Sequence, residues 1–230
     1  MRSRDLKAER LKRGWGQVEA AHRLGVSQPY LAMLEKGRRR LTPNLERKAA
    51  QAYGLSPVKL PLPDNFSPSK RVAARLLTEY LSRLGYPGFL YVRPQVQMRN
   101  PEELLLTALA QESLEARVAE ALPWLLTRYW QTDFNWLVSE SKKFDLQNRL
   151  GFVTSLARRL SEKTAEAERT HALRELETTL DRSRLVREDF FPRPPRNDQE
   201  RQWLMQNRPD EAQHWNLLSD LRPEHLQYVE

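Results

Sequence analysis

Cysteine is absent from the 230 residues, which excludes a disulfide framework, a thiolate zinc site and a thiol nucleophile. No apolar run approaches the roughly 18 residues that a membrane-crossing helix needs. The opening MRSRDLKAER has no apolar core of the signal-peptide kind. The expectation is a soluble, cytoplasmic protein without membrane contact. Glycine is scarce, at 8 residues. The sequence holds no glycine-rich phosphate loop, nucleophile elbow or HExxH. Histidine is limited to His22, His171, His214 and His225. The last two stand near Asp210, Glu211, Asp220 and Glu224, at a spacing that fits no metal-ligand pattern. No metal, cofactor or enzymatic activity is expected. Strand-like alternation is confined to FLYV at 89–92, whereas Leu, Ala, Glu and Arg abound. The fold class is read as all-α.

Positive charge is present and unevenly placed. Residues 1–72 carry 16 Lys and Arg against 6 Asp and Glu, and residues 73–230 carry 22 against 24. A small basic module on a near-neutral body has the electrostatics of a nucleic-acid reader. The bland alternative is a solvated basic face.

Proline marks the boundaries. SPVKLPLPDNFSPS at 56–69 and FFPRPPRN at 190–197 are the two Pro-rich breaks. They divide the chain into a module at 1–60, a linker at 61–70, a helical domain at 71–189 and a tail at 190–230. In the helical domain, Val72, Leu76, Leu77, Tyr80, Leu81 and Leu84 form an apolar stripe at helical spacing. Asn100-Pro101 reads as a cap with proline at the first helical position. Ser113 and Asp133 read as further caps, and Glu102-Glu103 as an acidic first turn.

The richest local pattern is QVEAAHRLGVS at 17–27, followed by QPYLAMLEKG. Ala21 is small enough for two helices to cross closely. Gly25 gives a tight turn its backbone freedom. Val26 fills the wedge, and Ser27 can cap the next helix. Leu31 and Leu34 face inward, and Pro29 lies in the first turn, where its missing amide hydrogen costs little. This is a helix-turn-helix pattern. Residues 4–55 resemble the Cro/repressor-type (XRE) helix-turn-helix family. The resemblance implies a five-helix DNA-binding domain, with the fourth helix at 43–53. It implies a buried ion pair between Arg10 and Glu35, and a phosphate contact from Gln17. It places Ser27, Gln28, Pro29 and Tyr30 at the opening of the recognition helix, against base edges. Gln28 suits adenine, and Tyr30 a thymine methyl or a phosphate. Lys36, Arg38, Arg39 and Arg40 follow and grip the backbone. Pro29 departs from the commoner polar residue there. The ligand implied is double-stranded DNA, bound by a homodimer. Trp15 reads as core.

The aromatic-rich LPWLLTRYWQTDFNWLV at 122–138 reads either as a helical core or as an interface anchored by aromatics. Candidate partner contacts are Trp130, Trp136, Trp203 and Trp215. Residues 75–160 resemble regulators paired with AbiE-like nucleotidyltransferase toxins, through Gly85-Tyr86-Pro87-Gly88, Pro123-Trp124-Leu125 and the run Asp145–Phe152. That resemblance implies an antitoxin that represses its own operon and binds a toxin. The alternative is a stand-alone repressor whose helical domain senses a small ligand. Asn148 and Arg149, polar within an apolar helix, either pair internally or touch a partner. The tail reads as short helices on the body or as a partly ordered segment that docks on a partner or second protomer, the reading we favour from sequence.

Overall fold

Short polar side chains set the helix starts. Ser27, Thr42, Asn100, Asp133 and Asn197 each accept a backbone N–H from two or three residues downstream, and a helix follows each. Ser113 has no such role. The helix after it begins at Ala116, with Glu115 in the capping position. The computed structural model describes residues 3–69, 71–226 and 228. Among them the protein is all-α, with twelve α-helices and one pair of two-residue strands. FLYV is not a strand: Pro87–Phe89 form a 3-10 turn. The chain divides into two compact units, Met1–Asp64 and Asn65–Glu230.

The first unit contains α1 (Ser3–Lys12), α2 (Gln17–Leu24), α3 (Gln28–Glu35) and α4 (Pro43–Ala52). Its core is Leu6, Ala20, Ala21, Leu24, Leu31, Leu34, Leu45, Ala49 and Tyr53. Trp15 packs on that core with its ring 5.5 Å from Tyr53, and Arg23 stacks over it at 4.2 Å. The expected fifth helix is reduced to a 3-10 turn, Pro57–Lys59. Pro57, Pro61 and Pro63 lack the amide hydrogens that a longer helix would need.

The second unit contains α5 (Ala74–Arg83), α6 (Pro101–Leu109), α7 (Ala116–Arg128), α8 (Phe134–Lys143), α9 (Gln147–Lys163), α10 (Ala167–Asp181), α11 (Asp198–Asn207) and α12 (Asp210–His214). Strands β1 (Asp189–Phe190) and β2 (Leu217–Leu218) pair in parallel. The centre is α9, buried along most of its length.

The C-terminal segment is built into this unit with two short helices, α11 and α12, which is the first of the two readings its sequence left open and not the partner-docked one we favoured. Four residues of α9 hold the chain from Leu185 onward. Asn148 exchanges two hydrogen bonds with the Leu185 backbone, at 2.9 and 2.8 Å. Arg149 forks onto Asp189 at 2.7 and 2.8 Å and donates to the carbonyls of Leu109 and Gln111. Gly151 leaves room for the Trp215 ring, which would lie 2.4 Å from a β-carbon there. Ser155 accepts the Trp215 indole N–H at 2.8 Å. Asn148 and Arg149 of the Asp145–Phe152 run therefore pair internally, whereas the buried Gln147 Oε1 has no partner among the described residues.

One carboxyl in this unit is unusually placed. Glu102, on the first turn of α6, is buried, while its neighbour Glu103 pairs with Arg99 near the surface. Glu102 Oε1 accepts the Asp133 N–H at 2.9 Å, and Oε2 has no partner among the described residues. Burial pushes this carboxyl up to about 7, and the Asp133 N–H opposes that shift.

Candidate nucleic-acid interface

The turn between α2 and α3 is made by Gly25, whose φ of 65° and ψ of 38° lie in the left-handed region. A side chain there would meet only the tip of Lys48, so conformation and not space demands glycine. Val26 follows, packed partly on the core. The Ser27 hydroxyl then accepts the Tyr30 N–H at 3.4 Å and opens α3. Leu31, Leu34 and Glu35 face the unit's interior. At 100° per residue this turns Pro29, Met33 and Lys36 outward.

A chain of hydrogen bonds runs from the interior to the start of α3, at the margin of that face. Arg10 Nε donates to Glu35 Oε1 at 2.6 Å, and Nη2 donates to Oε2 at 3.0 Å. Arg10 Nη1 also donates to the Trp15 carbonyl at 2.8 Å. Gln17 Nε2 donates to Glu35 Oε2 at 2.9 Å. Gln28 Nε2 donates to Gln17 Oε1 at 2.8 Å. Burial alone would raise the Glu35 carboxyl, but the Arg10 and Gln17 hydrogen bonds outweigh it and hold it below the usual carboxylate range. Its carboxylate form raises Arg10 in turn, through the same hydrogen bonds. The pair is thus ionised and buried, which costs little only because both members are satisfied.

An amide nitrogen carries two hydrogens. Gln28 donates one to Gln17, which leaves the second and its carbonyl oxygen outside that bond. The two contacts an adenine edge offers, N7 and N6–H, match that remaining pair. Gln17 starts α2, and its second amide hydrogen suits a phosphate oxygen. Lys36, Arg38, Arg39 and Arg40 lie exposed directly after α3. The only acid between residues 28 and 40 is Glu35, which is buried against Arg10. The face is therefore cationic, as a phosphate backbone requires.

Three exposed apolar side chains on this unit escape a motif reading. They are Leu11, on α1, Val18, beside Gln17, and Met33, in the middle of α3. The period of α3 is the signal that finds Met33, because it falls opposite Leu31 and Leu34. Motif-matching passes over it as one more hydrophobic residue.

The candidate partner tryptophans fare differently from one another. Trp215 is fully buried against α9, so it is unavailable to a partner in this fold. Trp136 is half-buried, with Phe66 lying across it at 5.3 Å. Trp130 is half-buried. Trp203, on α11, is 51% exposed, with Met205 nearby on the same helix at 44%. His214 bonds Asp181 at 2.9 Å and contacts Arg184, and His171 lies against Glu175. Among the described residues no group of three or more His, Asp or Glu side chains could hold a metal ion. No helix described is long and apolar enough to cross a membrane.

Residues 6–60 match the family model described as "Helix-turn-helix". No curated protein and no solved structure matches the chain. The N-terminal unit is a DNA-binding module of the XRE helix-turn-helix type.

Proposed function

We propose that the protein is a sequence-specific transcriptional repressor. The observation that carries this reading is the bond chain from Arg10 through Glu35 and Gln17 to Gln28. It delivers a pre-oriented amide to the start of α3 in the one unit that is strongly basic. Preorganisation lowers the side-chain entropy lost when a base is engaged. Gln17 and the Lys36–Arg40 turn anchor phosphates, and Gln28 and Tyr30 read the major groove. Two copies occupy half-sites about one helical turn, ~34 Å, apart. Selection of bound duplexes from a random pool tests this directly. A repressor yields a two-fold symmetric site, and that site placed over a promoter lowers reporter output. Recovery of unrelated sequences in proportion to their input rejects the reading.

Within it, the second unit is the part that meets another protein, as an antitoxin meets its toxin. This finer reading draws on the resemblance of residues 75–160 and on the solvent-facing Trp203 and Met205 of α11. Aromatic and methionine side chains of this kind are common anchors at interfaces. Expressing the adjacent reading frame alone and then with this protein tests it. Growth arrest relieved by co-expression, and lost again with Trp203→Ala, supports an antitoxin. Arrest without relief, or no arrest, leaves a repressor acting on its own.

A further inference from the structure

The outward face of α3 is unusual for a surface that meets DNA, because its centre has few hydrogen-bonding groups. Pro29, Met33 and Lys36 fall within about 60° of one another on the helix. They lie opposite the buried Leu31, Leu34 and Glu35. Pro29 is exposed and offers no side-chain polar atom. Met33 is 36% exposed and offers only a thioether, a weak acceptor. Ala32, on the flank toward Gln28, is also apolar. The polar equipment sits at the margins: Gln28 at the start of the helix, Tyr30 on the far flank, and Lys36 with the arginines beyond its end.

An exposed apolar strip inside a cationic rim needs an apolar counterpart that is carried by an anionic partner. Major-groove DNA has one such group, the 5-methyl of thymine, displayed beside the O4 acceptor. A methionine is well shaped for it, being unbranched, polarizable and able to adapt to a methyl of fixed position. An acidic protein would satisfy the rim, but it gives no reason for an ordered amide at Gln28 on the margin of this face.

We infer that Met33, flanked by Pro29, reads the thymine 5-methyl group next to the base read by Gln28. The preferred half-site therefore contains a thymine whose methyl group, not its hydrogen-bonding edge, is recognised. The inference rests on the DNA-reading role proposed above.

The test takes the full chain and the duplex recovered from selection. Each thymine in a half-site is replaced in turn by deoxyuridine, which removes one methyl and leaves pairing intact. At one or two positions affinity should fall about fourfold, the worth of one buried methyl. With Met33→Ala the same replacements should change affinity by less than about twofold, the loss having already been taken. Unchanged affinity for random-sequence duplex shows that the variant is folded, and Met33→Leu should restore most of the methyl preference. If selection recovers no preferred site, the DNA-reading role falls and this inference falls with it. If a site is recovered and deoxyuridine is neutral throughout, the methyl reading alone is overturned. A deoxyuridine penalty that persists undiminished in Met33→Ala also overturns it, because another side chain then makes the contact.

Discussion

Gln28 Nε2 donates to Gln17 Oε1 across 2.8 Å, which ties the first residue of α3 to the first residue of α2. Since Gln17 in turn donates to Glu35, and Glu35 is held by Arg10, the Gln28 amide at the start of α3 is oriented by a charge pair inside the unit. Two consequences follow. The fold of the N-terminal unit depends on an ion pair that is costly to break singly, and the base reading proposed for Gln28 would depend on the same pair through Gln17.

Arg10→Met should destabilise the N-terminal unit by about 3–5 kcal/mol, because it strands the Glu35 charge in the interior. Glu35→Gln should cost less, since an amide keeps one hydrogen bond to Gln17 or Arg10. The Glu35 carboxyl is held below its ordinary value. Its stabilising contribution is present above the unfolded-state value of about 4.3 and is lost as pH falls through the folded value. Amide hydrogen exchange across residues 6–53 of the full chain, read against pH, checks both effects. Protection that is insensitive to Arg10→Met would contradict them.

Glu102 has the opposite sign. Its folded-state value, about 7, lies above the unfolded one. The stability it contributes is full below about pH 4.3 and declines as pH rises through about 7. Glu102→Gln keeps an acceptor for the Asp133 N–H and removes the titration. We expect it to stabilise the second unit at pH 8 by on the order of 3 kcal/mol and to do little at about pH 4. Denaturant unfolding of the two chains at both pH values is the check. An equal effect at both would contradict the assignment.

The C-terminal segment should not be removable as a tail. Trp215→Ala is expected to cost about 3–5 kcal/mol, leaving the hollow above Gly151 empty. Gly151→Ala fills that hollow from the other side and should cost about 1–3 kcal/mol by displacing the indole ring. Deletion from residue 190 onward removes Trp215 and the partner of β1 together, so it should unfold the second unit. Thermal unfolding followed by circular dichroism separates these cases. A cooperative, helical truncated chain would contradict this account of the segment.

Arg39 is exposed beyond the end of α3. Arg39→Ala should weaken binding to every duplex by a similar factor and reduce the slope of log affinity against log salt by about one. Titrations at several salt concentrations measure it. A preserved slope would remove Arg39 from the phosphate-contacting set.

The first unit was legible because its signals are local. Gly25, Ser27 and the apolar period of α2 and α3 each set backbone within a few residues, and the cap at Ser27 forms as its composition implies. The Arg10–Glu35 pair spans 25 residues and was reached by resemblance; composition alone does not pair them. The Gln17–Gln28 bond was not foreseen, because it depends on the crossing of two helices and not on either helix. The same holds on a larger scale for the C-terminal segment. Asn148, Arg149, Gly151 and Ser155 lie close together on α9, but their partners Leu185, Asp189 and Trp215 lie 37 to 64 residues away. A segment rich in Pro and charge reads as loosely held when those contacts are out of view. Met33 was missed for another reason. Hydrophobic residues are assigned inward by default, and only the helix phase turns this one out.

The most direct measurement is the affinity of wild-type protein, Gln28→Ala and Gln17→Ala for the selected duplex and for a random one, at fixed salt. Gln28→Ala should lose about 1–3 kcal/mol on the selected duplex and almost nothing on the random one. Gln17→Ala should lose part of the same specificity, and the double variant should lose less than the two single losses combined. Equal losses on both duplexes would show that Gln28 only positions the protein, and would contradict the claim that the Arg10–Glu35–Gln17–Gln28 chain serves to read sequence.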